Sequence, residues 1–462
     1  MKYVSTRGSA PVLEFEDVLL TGLARDGGLY VPENWPQWSA DDIRDLAGLS
    51  YPEIATRVIA PFIPSIPPAQ LAEMISGAYA SFSTPDVAPL SKLEDGHWLL
   101  ELYHGPTLAF KDVAMQLIGR LFDHVLSKRR QHVTIVGATS GDTGSAAIEA
   151  CRDRDAIDIF VLYPHGRVSE IQRRQMTTVS SANVHAIAIE GNFDDCQNLL
   201  KAMFNDLEFR DRIALSAVNS INWGRVVSQI VYYFTAALQL GAPDKTVSFS
   251  VPTGNFGDIF AGYAARQMGL PIEKLVIATN ENDLLHRFFE TGSYKPGQVV
   301  ATQSPSMDIQ LSSNFERLVF DMVGRDGAKV AGLMADLAAD GSFSISDTDL
   351  AAARAQFMSC RVDEATAAAT IAQVWQQHNV LLDPHTAIGV HAARQAMDQV
   401  PMVTLSTAHP AKFPDAVEKA SGQHPPLPPH MADIMTRPER VDVLANDLST
   451  VQAHILSKLK AS

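Results

Sequence analysis

The sequence predicts an α/β protein built from parallel sheets with helices on both faces. From about residue 132, short runs rich in β-branched residues alternate with Gly-containing turns and Ala-rich helical segments. Such alternation is typical of parallel strands connected by helices. At 462 residues the chain exceeds one ordinary domain, which predicts two or three domains with well-buried cores.

The first hundred residues predict mainly helices and turns. The stretch "SADDIRDLAGLSYPEIATRVIAPF" (39–62) combines an acidic helix start with apolar residues at helical spacing. The stretch "PPAQLAEMISGAYASF" (67–82) repeats this pattern. We interpret this part of the chain as a small N-terminal lobe.

The last eighty residues predict a helix, a strand and a terminal helix. A helical stretch, "TAIGVHAARQAM" (386–397), precedes a strand, "MVTLSTAHP" (402–410). The Pro-rich "HPPLPPHM" (424–431) then leads into an amphipathic helix that we predict from about Val441 to Lys460.

Composition excludes several function classes. The formal net charge is −15, and no long basic block interrupts that acidity, which argues against nucleic-acid binding. The sequence has no stretch of signal-peptide type and no run of eighteen apolar residues, so we expect a soluble cytoplasmic protein without a membrane partner. Three scattered cysteines lack paired spacing, so we expect neither a disulfide framework nor a metal site.

A Gly-rich turn follows the predicted strand that ends at Val251. In "VPTGNFGDIFAGYAA" two glycines flank Asn255 and Phe256, and a helix is predicted from about Gly257. Backbone N–H groups at such a helix start can cradle a phosphate. The turn matches neither a Walker A loop nor G-x-G-x-x-G, and a tight turn without a ligand stays open as an alternative.

A second turn of the same type is "VGATSGDTGSAAIEA" (136–150), which is rich in hydroxyls. Thr139, Ser140 and Thr143, with the backbone amides, suit a carboxylate or phosphate at a helix N-terminus. Helix capping by Ser140, Asp142 or Thr143 stays open as the alternative.

A third polar feature lies where Ser406 and Thr407 leave a predicted buried strand in "LSTAHPAKF". A hydroxyl there can donate to or accept from a ring nitrogen. A strand end that only turns at Pro410 stays open as the alternative.

A lysine directly behind an apolar run raises a further question in "PTLAFKD" (106–112). In partly apolar surroundings the pKa of an amine falls, which favours its reaction with an aldehyde and later proton transfer. Alone, Lys111 and Asp112 are better explained as the start of a solvent-exposed helix. The order of lysine, hydroxyl-rich turn, Gly-Asn-Phe-Gly-Asp turn and Ser-Thr strand end favours a catalytic lysine.

This order resembles the pyridoxal-phosphate enzymes of fold type II, the tryptophan-synthase-β-like type, and among them the threonine synthase family. The resemblance runs from near the start of the chain to residue 413. The motifs that carry it are "STRG", "ARDGGLYVP", "HGPTLAFKD", "GATSGDTGSAA", "SINWGR", "GNFGD" and "TAHPAKF".

The resemblance implies a domain organisation. It predicts an N-terminal lobe over 1–95, a large cofactor-binding domain over 96–140 and 225–420, a smaller α/β domain over 141–224, and a C-terminal linker and helix over 421–462.

The resemblance also implies roles for individual residues. Lys111 is expected to bond pyridoxal phosphate, and Thr407 to lie at the pyridine nitrogen. The expected surroundings of the cofactor phosphate and ring are Gly254, Asn255, Phe256, Gly257 and Asp258. Thr139, Ser140 and Thr143 are expected to hold the substrate carboxylate, whereas a structural role of Asp142 stays open because many relatives of the fold type have Asn there.

The implied reaction converts O-phospho-L-homoserine and water to L-threonine and phosphate. The substrate phosphate needs cations and donors of its own, and Asn222 and Arg225 are the candidates, with Arg7 as a further one. Helix bracing by Arg225 and anchoring of the N-terminal lobe by Arg7 remain the alternatives.

Other functions remain open from sequence. A serine/threonine dehydratase or a phospholyase would keep the fold and the cofactor but change the chemistry. A degenerate ligand-binding scaffold or a nucleotide binder would not be an enzyme of this type, but an intact Lys111 disfavours the first and the loop spacing disfavours the second. We expect a monomer or homodimer that acts on a small molecule.

Overall fold

The computed structural model describes residues 1–216 and 220–459. The chain forms two compact units. Unit 1 comprises Met1–His104 and Ser220–Pro425, and unit 2 comprises Gly105–Asn219 and Pro426–Ser462. The two units divide the chain at other positions than the predicted domains, whose boundaries stay a prediction.

The described residues form short strands and longer helices. The strands are β1 Tyr3–Ser5, β2 Tyr30–Pro32, β3 Leu90–Glu94, β4 His97–Glu101, β5 Val133–Ala138, β6 Ile157–Pro164, β7 Val184–Glu190, β8 Leu215–Ser216, β9 Val247–Pro252, β10 Ile272–Thr279, β11 Ser293–Tyr294, β12 Phe343–Ser344, β13 Phe357–Arg361, β14 Met402–Ser406 and β15 Asp442–Ala445. The α-helices are α1 Phe15–Thr21, α2 Ala40–Arg44, α3 Tyr51–Ile59, α4 Pro68–Tyr79, α5 Lys111–Arg129, α6 Asp142–Cys151, α7 Glu170–Thr177, α8 Phe193–Asn205, α9 Leu207–Arg212, α10 Trp223–Gln239, α11 Gly257–Gln267, α12 Leu284–Thr291, α13 Phe315–Met322, α14 Gly327–Asp340, α15 Asp347–Arg354, α16 Glu364–His378, α17 Pro384–Ala396, α18 Pro414–Ser421 and α19 Leu448–Leu459.

Unit 1 is organised around a sheet with the strand order β13-β10-β9-β14-β4-β3. Its strands pair in parallel except at the β3–β4 hairpin. Helix α17 packs on β9, β10 and β14, where Ile388 and Ala392 join the apolar cluster that includes Met402. Helices α10 and α11 pack together, and Gly262 gives room for the ring of Tyr233. Because the strands are parallel, the turns after β9 and β14 lie at the same edge of the sheet.

Unit 2 contains a parallel sheet with the order β15-β7-β6-β5-β8. Its strand β6 is buried along its whole length, as expected for a parallel sheet covered on both faces. Helix α19 closes one apolar core through Val451 and Ile455. Helices α5 and α6 pack closely because Gly119 lies directly against the backbone of Ala150.

The predicted helices and strands are largely confirmed, but the pair β1–β2 and the hairpin β3–β4 were missed. Helices lie at Tyr51–Ile59 and Pro68–Tyr79 as predicted. The reading of the first hundred residues as mainly helical missed β3 and β4, which join the large sheet of unit 1. The signal was present, because Asp95-Gly96 separates two apolar runs and Gly96 has a φ of 74°.

The predicted terminal helix was wrong at its start. Asp442–Ala445 form an edge strand that pairs with β7, and the helix begins only at Leu448. The carboxylate of Asp447 accepts the N–H of Thr450 at 2.8 Å, which caps the helix there. The predicted end, Lys460, lies outside the described residues.

The described residues contain neither a membrane-spanning helix nor a metal-binding cluster. No helix in 1–216 or 220–459 is long and apolar enough to cross a membrane. The same residues hold no group of three or more His, Cys, Asp or Glu side chains arranged to hold a metal ion.

Candidate active site

The Gly254–Gly257 loop of unit 1 presents backbone donors. The N–H groups of Gly254, Asn255, Phe256 and Gly257 have no acceptor among the described residues. They stand at the N-terminus of α11, where the helix dipole adds partial positive charge. Phe256 has a φ of 64°, a conformation that a bulky residue adopts only when its surroundings enforce it. The loop is therefore a preformed anion cradle.

The side chain of Phe256 has a structural task. Its ring is buried and packs edge-on against Phe315, with ring centroids 5.1 Å apart. The ring anchors the loop in the core of unit 1, so Phe256 contributes its backbone rather than its side chain to the cradle.

A segment that the sequence analysis missed holds the cradle from behind. The hydroxyl of Ser312 donates to the carbonyl oxygen of Gly254 at 2.7 Å, and that of Ser313 donates to Oδ1 of Asn255 at 2.9 Å. Asn314 donates both its N–H and its Nδ2 to the carbonyl oxygen of Asn255, at 2.9 and 3.0 Å. These bonds occupy the loop's carbonyls and leave its amides free. The polar run "SSN" before α13 was the available sequence signal.

A buried arginine completes this support. Arg317 is fully buried and donates to Oδ1 of Asn314, to the carbonyl oxygen of Tyr30 at 3.1 Å and to that of Ile221 at 2.6 Å. It therefore links the N-terminal region, the start of α10 and the cradle support. Nothing in the sequence around Arg317 distinguishes it from a surface residue of an amphipathic helix.

Asp258, predicted among the phosphate surroundings, is turned toward two tyrosines. Its Oδ1 accepts the hydroxyls of Tyr232 and Tyr233, the latter at 3.2 Å. Burial, followed by the charge of Asp258, raises the pKa of both tyrosines well above the ordinary value, so both hydroxyls stay protonated donors. These bonds brace α10 against α11. They hold the carboxylate of Asp258 against the two tyrosines, so the side chain has a structural role beside the predicted phosphate site.

Thr407 follows β14 at the same sheet edge as the cradle. The residue is only 5% exposed, yet its hydroxyl has no hydrogen-bond partner among the described residues. Its backbone N–H donates to Oγ1 of Thr386 at 3.2 Å. A fixed backbone with an unpaired hydroxyl is suited to contact with a ligand.

Arg225, in the first turn of α10, is a buried cation without a partner. The residue is 6% exposed, and its guanidinium makes no hydrogen bond or ion pair with any described residue. Burial lowers the pKa of its guanidinium to about 10, so the group is still charged at neutral pH. A buried and unpaired charge costs several kcal/mol, which makes Arg225 a strong candidate for an anion ligand.

The other predicted donors for the substrate phosphate have partners within the protein. Asn222 caps α10, since its Oδ1 accepts the N–H of Gly224 at 2.9 Å while its Nδ2 donates to the carbonyl oxygen of Leu19 at 2.7 Å. Arg7 forms a two-pronged ion pair with Glu316, at 3.1 and 2.9 Å. The ion pair favours the alternative for Arg7, anchoring of the N-terminal lobe, and the role of Asn222 in substrate binding stays a prediction.

Lys111 of unit 2 is buried at the first position of α5. It is 7% exposed, its Nζ lies 3.2 Å from Oδ2 of Asp142, and the same atom lies 4.7 Å from the ring centroid of Phe110. The amine is therefore held between an aromatic face and a buried carboxylate. A solvent-exposed lysine at a helix start, the alternative from sequence, does not describe this position.

The loop before Lys111 is closed by its neighbour. The buried carboxylate of Asp112 accepts the N–H of Thr107 at 2.7 Å and its hydroxyl at 2.6 Å. Leu108 has a φ of 63°, and Gly105 lies so close to Asp112 that a Cβ would not fit. Asp112 thus fixes the loop that positions Lys111, which goes beyond the expected helix start.

The turn after β5 brings its hydroxyls into two different roles. Thr139 accepts the N–H groups of Gly141 and Gly144, each at 2.9 Å, so its oxygen maintains the turn. The hydroxyls and N–H groups of Ser140 and Thr143 have no partner among the described residues. The first turn of α6 is capped by Thr139 through the N–H of Gly144, whereas Ser140 and Thr143 make no capping bond among the described residues.

Asp142 joins the turn to Lys111 within unit 2. Its Oδ1 accepts Nε2 of Gln172 at 2.9 Å, and its Oδ2 faces the amine of Lys111. Gln172 also fills the space in front of Gly141, where a Cβ would collide with its amide. The buried negative charge of Asp142 is therefore balanced by the amine of Lys111 and by the amide donor of Gln172.

Comparison with known proteins supplies the family. The family model described as threonine synthase N terminus matches residues 2–79, that of the pyridoxal-phosphate dependent enzymes matches 85–342, and that of the threonine synthase C-terminal part matches 386–455. A threonine synthase from Pseudomonas aeruginosa is 58% identical over 98% of both chains. The chain belongs to the threonine synthase family.

Solved structures of threonine synthases agree with this. The PLP-bound enzyme from Brucella melitensis is 58% identical, with a TM-score of 0.98 over 99% of both chains. The yeast enzyme is 40% identical, with a TM-score of 0.95 over 100% of this chain and 99% of the other. The predicted α/β fold of type II and the dependence on pyridoxal phosphate are confirmed by these similarities and by the family model.

The residues present fit this cofactor. The four unpaired amides of Gly254–Gly257 offer an anion site of the kind that a cofactor phosphate occupies. A Cβ on Gly254 would lie 3.0 Å from the carbonyl oxygen of Ser306, so the cradle requires glycine there. Unit 1 also supplies the unpaired hydroxyl of Thr407, and unit 2, taken by itself, supplies the buried amine of Lys111.

Proposed function

We propose that this threonine synthase family member converts O-phospho-L-homoserine and water to L-threonine and phosphate, with Lys111 as the catalytic residue. The observation that carries the substrate assignment is Arg225. Unit 1 contains two separate groups that are suited to bind an anion. They are the backbone amides of Gly254–Gly257 and the unpaired guanidinium of Arg225. A phosphate-bearing substrate together with a phosphate-bearing cofactor provides one anion for each.

This observation favours the synthase over a dehydratase. The substrate of a serine/threonine dehydratase has no phosphate, so Arg225 would stay buried and unpaired. A phospholyase that releases phosphate without adding water would satisfy Arg225 equally well. The two phosphate-using reactions differ in product and must be separated by experiment.

In the proposed reaction, bound pyridoxal phosphate supplies the electron sink that stabilises negative charge at the substrate Cα. Lys111 removes the Cα proton and assists the transfer of a Cβ proton, and phosphate leaves from Cγ. Cγ then takes up a proton, water adds its hydroxyl at Cβ, and a proton returns to Cα to give threonine. Asp142, 3.2 Å from Nζ, holds the amine when it carries a proton. Burial of Lys111 keeps this proton transfer away from bulk water.

The remaining residues bind and orient. Gly254, Asn255, Phe256 and Gly257 would hold the cofactor phosphate through their backbone amides, and Thr407 would meet the ring nitrogen. Ser140 and Thr143 would bind the substrate carboxylate through free hydroxyls and amides, with Thr139 maintaining the turn. We further propose a cytoplasmic enzyme, monomeric or homodimeric, that acts on this small molecule and binds no nucleic acid.

The deciding experiment supplies O-phospho-L-homoserine to the purified holoenzyme and identifies the products. We expect threonine and phosphate in equal amounts. Formation of 2-oxobutyrate without threonine would overturn the synthase assignment in favour of a phospholyase.

Substitution of Arg225 tests the substrate phosphate directly. Arg225→Met is expected to raise the KM for O-phospho-L-homoserine by about 100-fold, because one charge-assisted contact contributes about 1.5–3 kcal/mol. Arg225→Lys keeps the charge and should recover part of the affinity. An unchanged KM in Arg225→Met would rule out Arg225 as a ligand of the substrate phosphate.

A further inference from the structure

A buried carboxylate lies behind the end of β14 in unit 1. Asp383 is 0% exposed and precedes α17. Its Oδ1 accepts the N–H of His385 at 2.9 Å and Nδ1 of His385 at 2.8 Å. Its Oδ2 accepts the N–H of Thr386 at 3.2 Å and, in addition, the hydroxyl of Thr386. Four donors therefore converge on one carboxylate that solvent does not reach.

The direction of these bonds follows from a backbone donor. The N–H of Ser306 donates to Nε2 of His385 at 3.3 Å, so Nε2 carries no proton. The proton of the imidazole then lies on Nδ1 and points at Asp383. His385 is neutral in this arrangement, and Asp383 is an acceptor at both oxygens.

Thr386 connects the carboxylate of Asp383 to the end of β14 through hydrogen bonds of fixed direction. Because its hydroxyl proton is committed to Asp383, Oγ1 of Thr386 serves as an acceptor. It accepts the N–H of Thr407 at 3.2 Å and faces the hydroxyl of Ser406 at 3.2 Å, which must then be the donor. The carboxylate thus fixes the peptide between Ser406 and Thr407 through one shared hydroxyl oxygen.

We propose that Asp383, acting through Thr386, is a positioning residue that aims the hydroxyl of Thr407 at the cofactor ring nitrogen. The inference rests on the proposed role of Thr407. With the backbone N–H of Thr407 clamped and its hydroxyl unpaired, the side chain is held in place while its polar atom stays available. A hydroxyl that is held within about 0.5 Å of the position needed for a hydrogen bond contacts a ring nitrogen more effectively than a hydroxyl on a strand end that is free to move.

Helix capping accounts for only part of this arrangement. An N-cap carboxylate needs no more than the first amides of its helix, and Asp383 has these in His385 and Thr386. The bonds from Thr386 to Ser406 and Thr407 reach about 20 residues along the chain, to a different element. Asn caps helices as well as Asp does, so Asp383→Asn separates the cap from the charge.

Four variants of the full-length holoenzyme test the proposal. Thr386→Val removes the shared oxygen with little change in shape, and Thr386→Ser restores it. Asp383→Asn places an NH2 group against converging donors, so the hydroxyl of Thr386 turns away and its polarity toward Ser406 is lost. Thr407→Val removes the hydroxyl at the ring nitrogen. As a matched control, Asp363→Asn alters the exposed N-cap of α16, whose carboxylate accepts the N–H and the hydroxyl of Thr366 within its own helix.

The informative readout is the 15N chemical shift of the ring nitrogen in protein loaded with 15N-labelled pyridoxal phosphate. Thr386→Val and Asp383→Asn should move this signal toward its position in Thr407→Val, and Thr386→Ser should return it to the wild-type position. We expect kcat to fall by about 10- to 100-fold in Thr386→Val with little change in KM. Asp363→Asn should change neither quantity.

The outcomes distinguish the role of Thr407 at the ring nitrogen from the positioning role of Asp383. A signal that Thr407→Val does not move would overturn the role of Thr407, and the positioning proposal with it. A signal that moves in Thr407→Val but not in Thr386→Val or Asp383→Asn would overturn the positioning proposal alone. If Thr386→Val does not fold, Asp383→Asn and Thr386→Ser decide in its place, because a wild-type signal in Asp383→Asn contradicts the proposal.

Discussion

Two turns of this protein have nearly the same design in sequence but different chemistry in three dimensions. The turn after β9 and the turn after β5 are both Gly-rich, and each lies between a parallel strand and a helix. In the first, Ser312 to Asn314 occupy the loop's carbonyls, and four backbone amides are left free. In the second, Thr139 occupies two amides, and the side chains of Ser140 and Thr143 are left free.

This difference teaches which atoms of a turn carry its function. The cradle works through its backbone, so its side chains are free to serve the core, as Phe256 does. In the proposal the turn after β5 adds the hydroxyls of Ser140 and Thr143 to their amides, while Thr139 accepts the amides of Gly141 and Gly144 and so maintains the turn. Substitutions should therefore have opposite signatures: in the cradle they should affect the cofactor, and in the turn they should affect the substrate.

The largest effect is expected from Lys111→Ala, which removes the chemistry next to the turn and leaves the cradle intact. Loss of a combined nucleophile and proton carrier should lower kcat by at least about 1,000-fold. The variant should still bind pyridoxal phosphate through the cradle, with weaker affinity and without the wild-type visible absorbance band. A variant that retains the wild-type band, or substantial activity, would contradict the role of Lys111.

A smaller but still large effect is expected from Asn314→Ala, which removes the support behind the cradle. The carbonyl oxygen of Asn255 would lose the side-chain donor and keep only the backbone N–H of residue 314, and Arg317 would lose an acceptor in a fully buried position. We expect the free energy of unfolding to fall by about 1–3 kcal/mol, with a parallel loss of cofactor affinity. Denaturant unfolding of the apoprotein and cofactor titration measure the two quantities.

Gly254→Ala tests the cradle with a single methyl group. The new Cβ would lie 3.0 Å from both the carbonyl oxygen of Ser306 and Cδ1 of Ile309, so the loop must shift. We expect about tenfold weaker binding of pyridoxal phosphate, equivalent to about 1.4 kcal/mol. Gly137→Ala, just before the other turn, is the matched control because nothing lies within 4 Å of its Cβ. Equal effects of the two changes would refute the requirement for glycine in the cradle.

The smallest effects are expected in the turn after β5. Ser140→Ala and Thr143→Val should each raise the KM for the substrate by about three- to tenfold, since each removes one hydrogen bond, and should leave cofactor affinity unchanged. Thr139→Val should instead lower the free energy of unfolding by about 1 kcal/mol or more, because two amides lose their acceptor. If Ser140→Ala weakened cofactor binding as much as Gly254→Ala, the contrast between the two turns would be wrong.

Sequence reasoning was most reliable where local chemistry decides structure. Glycines, strand periodicity and helix starts predicted the strand–turn–helix units around residues 139 and 254, and both are present. It did not predict the short strands or the strands whose pairing partners are distant in sequence. The hairpin of β3 and β4 had a local turn signal at Asp95-Gly96 that was overlooked, whereas the edge strand β15 pairs only with the distant β7, so a short apolar run could not reveal it.

By itself the sequence determined the α/β class, the turns at the strand ends and, through its motifs, the resemblance to the threonine synthase family. The tertiary structure decided what each polar group does. Asn222 and Arg225 lie three residues apart in one motif, yet one is saturated as a helix cap and the other is buried without a partner. The physical reason is that hydrogen bonding and desolvation depend on which distant atoms surround a group, and a linear motif specifies the donor without specifying its acceptor.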